Sequence, residues 1–115
     1  MKLLLEWDTS DLMYGGQEVP NHTKESLENY FLRGWEPGGF LTAMLTGDLY
    51  RAIASADTAN RHMLWAIGRW ITIYAPAGSW GYPNAVKDWC ADSRGQRSQW
   101  ATKIEKKAVW KTLTE

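Results

Sequence analysis

Apolar side chains that recur every three to four residues are the feature that most constrains this fold. The clearest such face lies between residues 63 and 74 and consists of Met63, Leu64, Ile67, Trp70, Ile71 and Tyr74. This spacing is typical of an α-helix that buries one side against other helices. Asp57 precedes the face as a helix cap, and Pro76 ends the helix. The pattern predicts a mainly helical protein.

Two further helices are expected before this one. Asn21 is predicted to cap a helix that ends at Gly34. A second apolar stripe runs from Phe40 to Ala56, and Gly47 interrupts it. The second stripe therefore forms either one bent helix or two short ones.

The remaining segments complete the predicted architecture. Pro83 opens a short helix, and a final helix covers residues 98 to 113. Lys2–Trp7 is predicted to form a short strand, followed by a turn at Gly15 and Gly16. The length allows one hydrophobic core. We therefore predict a single domain of residues 1–115, a compact bundle of about five helices with a short N-terminal β segment.

The composition predicts a cytoplasmic protein without a membrane span. No apolar run approaches the roughly 20 residues that a membrane-spanning helix needs. Glu6 and Asp8 interrupt the apolar start before it reaches the length of a signal peptide. The chain has a single cysteine, Cys90, whereas small secreted proteins usually carry paired cysteines.

Opposite charges collect at the two ends of a chain whose net charge is zero. Residues 1–37 contain three basic and seven acidic residues, and residues 93–115 contain six basic and two acidic residues. The ends can attract one another or neighbouring copies, so we expect a homo-oligomer. The basic end is more typical of a solvated helix face than of a nucleic-acid patch, which makes nucleic acid an unlikely partner.

Eight tryptophans are far more than a chain of this length normally carries. Tryptophan combines a large apolar surface with one N–H group, so it serves cores, interfaces and planar-ligand pockets alike. We expect the core to absorb about half of them. The others indicate either an interface or a surface on which a base stacks, and the sequence does not separate these uses.

The segment Gly34–Phe40, with the sequence GWEPGGF, stands directly before an apolar helical pattern. Pro37 fixes its own φ angle, and the glycines Gly38 and Gly39 allow close approach to the backbone. The first N–H groups of the following helix lack helical partners and attract an anion such as a phosphate. The alternative is that the segment only connects two helices.

Several polar residues fall on apolar helix faces. Asp57, Asn60 and Arg61 either line a pocket that faces the double glycine or serve as a cap and a hydrogen bond to a neighbouring helix. Asp48 is predicted to lie on the inward side of the second apolar stripe, where it needs a basic partner or a ligand hydroxyl.

No complete catalytic set is recognisable. His22 and His62 are too far apart for a helical metal pair and lack other ligands at suitable spacing. Cys90 lies in an apolar stripe, as a small core residue does. Asp48 with Asp57 is the one inward carboxylate pair to test for acid–base catalysis. We therefore expect a protein that is not an enzyme and that uses no metal and no cofactor.

Several spaced elements of residues 20–90 together carry a family resemblance: Glu25–Tyr30, Gly34–Leu41, Asp48-Leu49, Ala56-Asp57 with Asn60-Arg61, and Pro76 with Trp80-Gly81 and Trp89. In this pattern the chain resembles a widespread family of small tailed-bacteriophage proteins. The resemblance implies an accessory protein in the cytoplasm of the infected bacterium that counters host defence. Such proteins either sequester a nucleotide second messenger or block a host protein.

We predict from these observations a homo-oligomer that binds a small phosphate-bearing nucleotide. Its predicted site residues are Trp35, Gly38, Gly39, Phe40, Asp48, Asn60, Arg61 and Trp80. The amides of the glycine turn hold the phosphate, arginine adds charge, a tryptophan stacks on the base, and Asp48 with Asn60 reads ribose or base edges. The alternatives are an inhibitor of a host protein and a nucleic-acid binder that uses the basic last helix.

Overall fold

The computed structural model describes residues 13–14 and 17–107, and this part of the chain is mainly helical, as the apolar spacing predicts. Its elements are β1 (Met13–Tyr14), β2 (Gln17–Glu18), α1 (Asn21–Arg33), α2 (Gly39–Thr46), α3 (Leu49–Ser55), α4 (Thr58–Arg61), α5 (Leu64–Tyr74), α6 (Ala85–Ala91) and α7 (Gln96–Lys107). The two strands pair antiparallel, with Met13 opposite Glu18. The predicted strand at residues 2–7, the turn at residues 15–16 and the predicted helical residues 108–113 lie outside the described residues.

Helix α1 has the predicted bounds but not the predicted cap. Gly34 follows the helix with a left-handed φ of 69°, and its N–H donates to the carbonyl of Tyr30 at 3.0 Å. Asn21 is the first helical residue, and Pro20 occupies the capping position without a side-chain hydrogen bond. The prediction that Asn21 caps this helix is therefore wrong. The helix begins at Asn21 itself, so the capping position falls one residue earlier, at Pro20.

Two interruptions raise the number of helices in the described residues from the expected five or so to seven. Gly47, with a φ of 80°, ends α2, so the second apolar stripe forms two short helices. Asp57 caps α4, which is a single turn, through a hydrogen bond from the Asn60 N–H at 2.8 Å. The Met63 N–H then bonds to the Asn60 carbonyl, and α5 begins after this turn.

Buried apolar side chains from α1, α2, α5 and α6 form the core. Its large members are Leu27, Tyr30, Phe31, Phe40, Leu41, Leu45, Ile67, Trp70, Ile71, Val86 and Trp89. Helix α1 packs against α7, and α2 packs against α3 and α6. Each contact buries the apolar stripe of one helix against another.

Four of the six tryptophans in the described residues belong to the core. Trp70 and Trp89 are buried, and Trp80 and Trp100 pack against the core while half-buried. Trp35 and Trp65 are exposed. These positions agree with the expectation that the core absorbs about half of the tryptophans.

The loop between α5 and α6 is fastened to the core by Tyr30. The Tyr30 hydroxyl donates to the carbonyl of Ser79 at 2.7 Å, and the Trp89 Nε1 donates to the carbonyl of Tyr30 at 3.1 Å. The Gly81 N–H donates to the Leu45 carbonyl at 2.8 Å, which ties the same loop to α2.

Within residues 13–14 and 17–107, no helix combines the length and apolarity required to cross a membrane.

Candidate functional site

The first turn of α2 presents three backbone donors that have no acceptor in the described part of the chain. Gly38 occupies the capping position and has no side chain that caps the helix. The first hydrogen bond of the helix runs from the Thr42 N–H to the Gly38 carbonyl at 2.9 Å. The N–H groups of Gly39, Phe40 and Leu41 have no acceptor among the described residues. Such a helix end carries partial positive charge and favours an anion.

Neither glycine at this helix start is required by the backbone or by packing. Gly38 and Gly39 do not have positive φ angles. A Cβ atom added at either position meets nothing within 4 Å. The space beside both glycines is therefore open among the described residues.

This open space is a pocket of about 270 Å³ between the start of α2, helix α1 and the α3–α4 region. Its described lining residues are His22, Thr23, Ser26, Gly38, Gly39, Phe40, Leu41, Ser55, Asp57 and Asn60. Hydroxyl, amide and carboxylate groups therefore face the free N–H groups of α2. This arrangement suits a small polar ligand held by a few directed hydrogen bonds.

Asn60 supplies a polar group to the pocket wall that lacks a protein partner. Its side chain is nearly buried, with 5% of the residue exposed. The Oδ1 atom accepts a hydrogen bond from the Thr23 hydroxyl at 2.7 Å, which leaves the Nδ2 amide as the remaining donor. This amide has no hydrogen-bond acceptor in the described part of the chain. The Asn60 Nδ2 is not among the described buried side-chain atoms that lack a partner, so it contacts solvent and is available to a ligand acceptor.

Asp57 and His22 form the ionisable edge of the pocket. The Asp57 carboxylate caps α4 through Oδ1, and its Oδ2 lies 3.7 Å from His22 Nε2. Both side chains are largely exposed to solvent. The described lining residues include no lysine or arginine. The free donors of the pocket are therefore neutral N–H and hydroxyl groups.

The predicted site residues divide into two sets. Gly38, Gly39, Phe40 and Asn60 line this pocket together. The other four lie elsewhere in the described structure. Arg61 lines a separate pocket with His62, Leu64 and Trp65, since α4 turns its side chain away. Trp35 stands exposed with the Arg33 guanidinium over its ring.

Trp80 and Asp48 have structural partners outside the pocket. Trp80 packs against the core in the loop between α5 and α6. Asp48 is exposed and caps α3 by accepting from the Arg51 N–H at 3.2 Å. The prediction of an inward Asp48 is wrong, because the break at Gly47 rotates the following residues out of the apolar stripe. Asp48 and Asp57 are accordingly two exposed cap residues and not an inward carboxylate pair.

Sequence reasoning overlooked the contribution of α1 to the pocket. His22, Thr23 and Ser26 line it from the first turns of that helix. Ser26 follows His22 by four residues and Thr23 by three, which puts these polar groups on one helix face and is the signal that could have revealed them. Ser55 also lines the pocket. It is the last residue of α3, which is a separate helix because of the break at Gly47.

The single cysteine of the chain lies outside this pocket. Cys90 lies in a separate pocket with Glu36 and Lys87, and burial raises the pKa of its thiol, which favours the neutral form. No cluster of three potential metal ligands occurs within residues 13–14 and 17–107.

Comparisons with protein-family models, curated proteins and solved structures find no match to this chain.

Proposed function

We propose that this chain binds a small phosphate-bearing nucleotide in the pocket at the start of α2 and releases it unchanged. The free N–H groups of Gly39, Phe40 and Leu41 hold the phosphate, and the Asn60 amide donates a further hydrogen bond. The hydroxyls of Ser26 and Ser55 pair with the sugar.

One observation carries this proposal. Three backbone donors and the side-chain amide of Asn60, all without acceptors among the described residues, meet at the same pocket. Either feature alone is common at a helix end. Together they form a set of donors that a guest with several acceptor atoms can pair with at once, and a phosphate group has such atoms.

The biological setting of the proposal comes from the resemblance to tailed-bacteriophage proteins. In that setting the chain is an accessory protein in the cytoplasm of the infected bacterium. It withdraws a nucleotide signal from the host defence without chemical turnover, and it acts as a homo-oligomer.

A substitution at the capping position tests binding without disturbing the fold. In Gly38→Asp, the new carboxylate accepts the N–H groups of Phe40 and Leu41, as aspartate commonly does at this position. We expect nucleotide affinity to fall at least tenfold, measured by titration calorimetry with nucleotides. The unfolding temperature is expected to be unchanged or raised, because a side-chain cap adds up to about 0.5 kcal/mol over glycine.

The matched control is Asn84→Asp, which adds the same charge at the capping position of α6. It lies outside the pocket and is expected to retain full affinity. If Gly38→Asp binds nucleotide as tightly as the parent protein, the α2 amides do not form the site.

A second candidate is inhibition of a host protein, favoured by the outer face of α3. Leu49, Tyr50 and Ile53 are all large, apolar and exposed, and Tyr50 is 84% exposed. Exposed apolar groups that lie together are typical of protein-binding surfaces.

Phage growth on a host with nucleotide-signalled defence distinguishes the two candidates. If the chain acts by binding nucleotide, Gly38→Asp abolishes its protective effect and Ile53→Asp preserves it. The reverse pattern, loss with Ile53→Asp alone, supports inhibition of a host protein and removes the nucleotide proposal. Comparable expression and unfolding temperatures of both variants are the control.

A further inference from the structure

The charge distribution of the α2 pocket indicates the kind of phosphate it accepts. Its described lining residues supply neutral N–H and hydroxyl donors but no lysine or arginine. The start of a helix contributes only about half of a positive elementary charge. These groups offset only part of a single negative charge, so a second charge on the ligand has nothing left to offset it.

Asp57 makes a second negative charge unfavourable. Its carboxylate lies in the same wall as Asn60, and its Oδ1 is already occupied by the Asn60 N–H. His22 Nε2 lies 3.7 Å from Oδ2 and is the nearest ionisable partner. A doubly charged phosphate therefore meets a fixed carboxylate without a matching cation in the described wall.

We propose that the pocket selects a phosphodiester and rejects phosphomonoesters and polyphosphates, with Asp57 as the residue that sets this preference. This inference rests on the proposed function, because it concerns the ligand of the same site. A phosphodiester carries one negative charge, whereas a phosphomonoester carries nearly two above its second pKa of about 6. The unpaired Asn60 amide gives the remaining ester or phosphoryl oxygen a donor.

Paired nucleotides test the preference directly. The probes are the 3′,5′-cyclic nucleotides of adenine, guanine, cytosine and uracil and the matching nucleoside 5′-monophosphates at pH 7.5. Each pair shares base and sugar but differs in phosphate charge. Binding is followed through the NMR amide signals of Gly39 and Phe40. We expect at least one cyclic nucleotide to shift these signals and to bind about tenfold more tightly than its 5′-monophosphate.

The variant Asp57→Asn removes the carboxylate while keeping a residue that caps helices well. We expect the tenfold preference to fall to about threefold or less, chiefly because the 5′-monophosphate binds more tightly. Asp48→Asn is the matched control, since Asp48 caps α3 in the same way but does not line the pocket. It is expected to keep the full preference.

The outcomes separate this inference from the proposed function. Equal affinity for both members of every pair, or an unchanged preference in Asp57→Asn, overturns the inference and leaves nucleotide binding intact. If no probe in either series shifts the Gly39 and Phe40 signals, the proposed function and this inference both fail.

Discussion

At the scale of single residues, Tyr30 connects the core to the loop that follows α5. The residue is fully buried, and its hydroxyl donates to the Ser79 carbonyl. Burial raises the pKa of Tyr30 far above its ordinary value, with smaller contributions from Cys90 and Tyr82. The hydroxyl therefore keeps its proton and remains a donor across the physiological range.

Replacing this hydroxyl tests its contribution to stability. Tyr30→Phe removes the donor and leaves the Ser79 carbonyl buried without it, so we expect a loss of about 1–3 kcal/mol in the free energy of unfolding. Urea denaturation measures the change. Tyr50→Phe, at an exposed tyrosine, is the control and is expected to stay within about 0.5 kcal/mol of the parent protein. An unchanged Tyr30→Phe would show that the hydrogen bond contributes nothing.

Asp92 links α6 to α7 through its carboxylate. Hydrogen bonds from the Ser98 hydroxyl and the Arg97 N–H, together with the Arg97 charge, lower the pKa of Asp92, although burial opposes the shift. Because the folded pKa lies below the unfolded value, the resulting stability is present above the unfolded value of about 4 and is lost as the pH falls through the folded value.

Asp92→Asn tests this linkage. Asparagine tolerates the left-handed backbone that Asp92 adopts with a φ of 52°, so the chain path is expected to persist. We expect a loss of about 1 kcal/mol at pH 7 and a shallower fall in stability between about pH 5 and 3. Thermal unfolding at several pH values measures both effects. The same acid-side slope in parent and variant would contradict the assignment.

At the scale of helices, the end of α1 and the start of α7 depend on one another. A Cβ atom at Gly34 would lie 2.5 Å from the Arg97 side chain, which crosses over this helix end. The Arg97 Nε donates to the Trp89 carbonyl at 3.2 Å, so this basic residue has an internal structural role. Gly34 is thus required both by its left-handed φ and by this close contact.

Gly34→Ala is expected to lower the free energy of unfolding by about 1–2 kcal/mol, because the left-handed backbone disfavours a side chain and the new Cβ displaces Arg97. Chemical denaturation measures the loss. Gly39→Ala is the contrasting substitution. Its Cβ meets open space at the start of a helix, so stability is expected to stay the same or rise. Similar losses in both variants would contradict this account.

At the scale of the whole molecule, aromatic packing joins α1 to α7. Phe31 and Trp100 approach with ring centroids 6.2 Å apart. Helix α1 contains two basic and two acidic residues, so it has no net charge with which to attract the basic α7. Three of the seven acidic residues in residues 1–37 lie outside the described residues, and attraction between the charged ends of different copies stays a prediction.

Ionic strength tests that prediction. If opposite charges join neighbouring copies, the assembly is expected to have a higher mass at 50 mM salt than at 500 mM salt, because screening shortens the range of the attraction from about 14 Å to about 4 Å. Sedimentation velocity measures the mass. One mass at both salt concentrations would show that exposed charges do not hold the copies together.

The helices follow from local pattern, because spacing, proline and glycine act within a few residues. The ends of α1 and α2 at Gly34 and Gly47 were predictable for this reason. Asp57 and Asn60, the cap and the third residue of α4, were also predicted at one site, and both line the pocket. Arg61 was predicted at the same site beside Asn60, but it lines a separate pocket with His62, Leu64 and Trp65.

The pocket itself depends on how helices far apart in the chain meet. His22 and Thr23 line one pocket with the double glycine only because the fold brings α1, the start of α2 and α4 together, and this arrangement depends on how distant side chains pack in the core. The same packing buries Trp70 and Trp89 and leaves Trp35 and Trp65 exposed. Helix starts and ends can therefore be predicted from the residues nearby in the sequence. Which residues line a pocket is decided only when the whole core has packed.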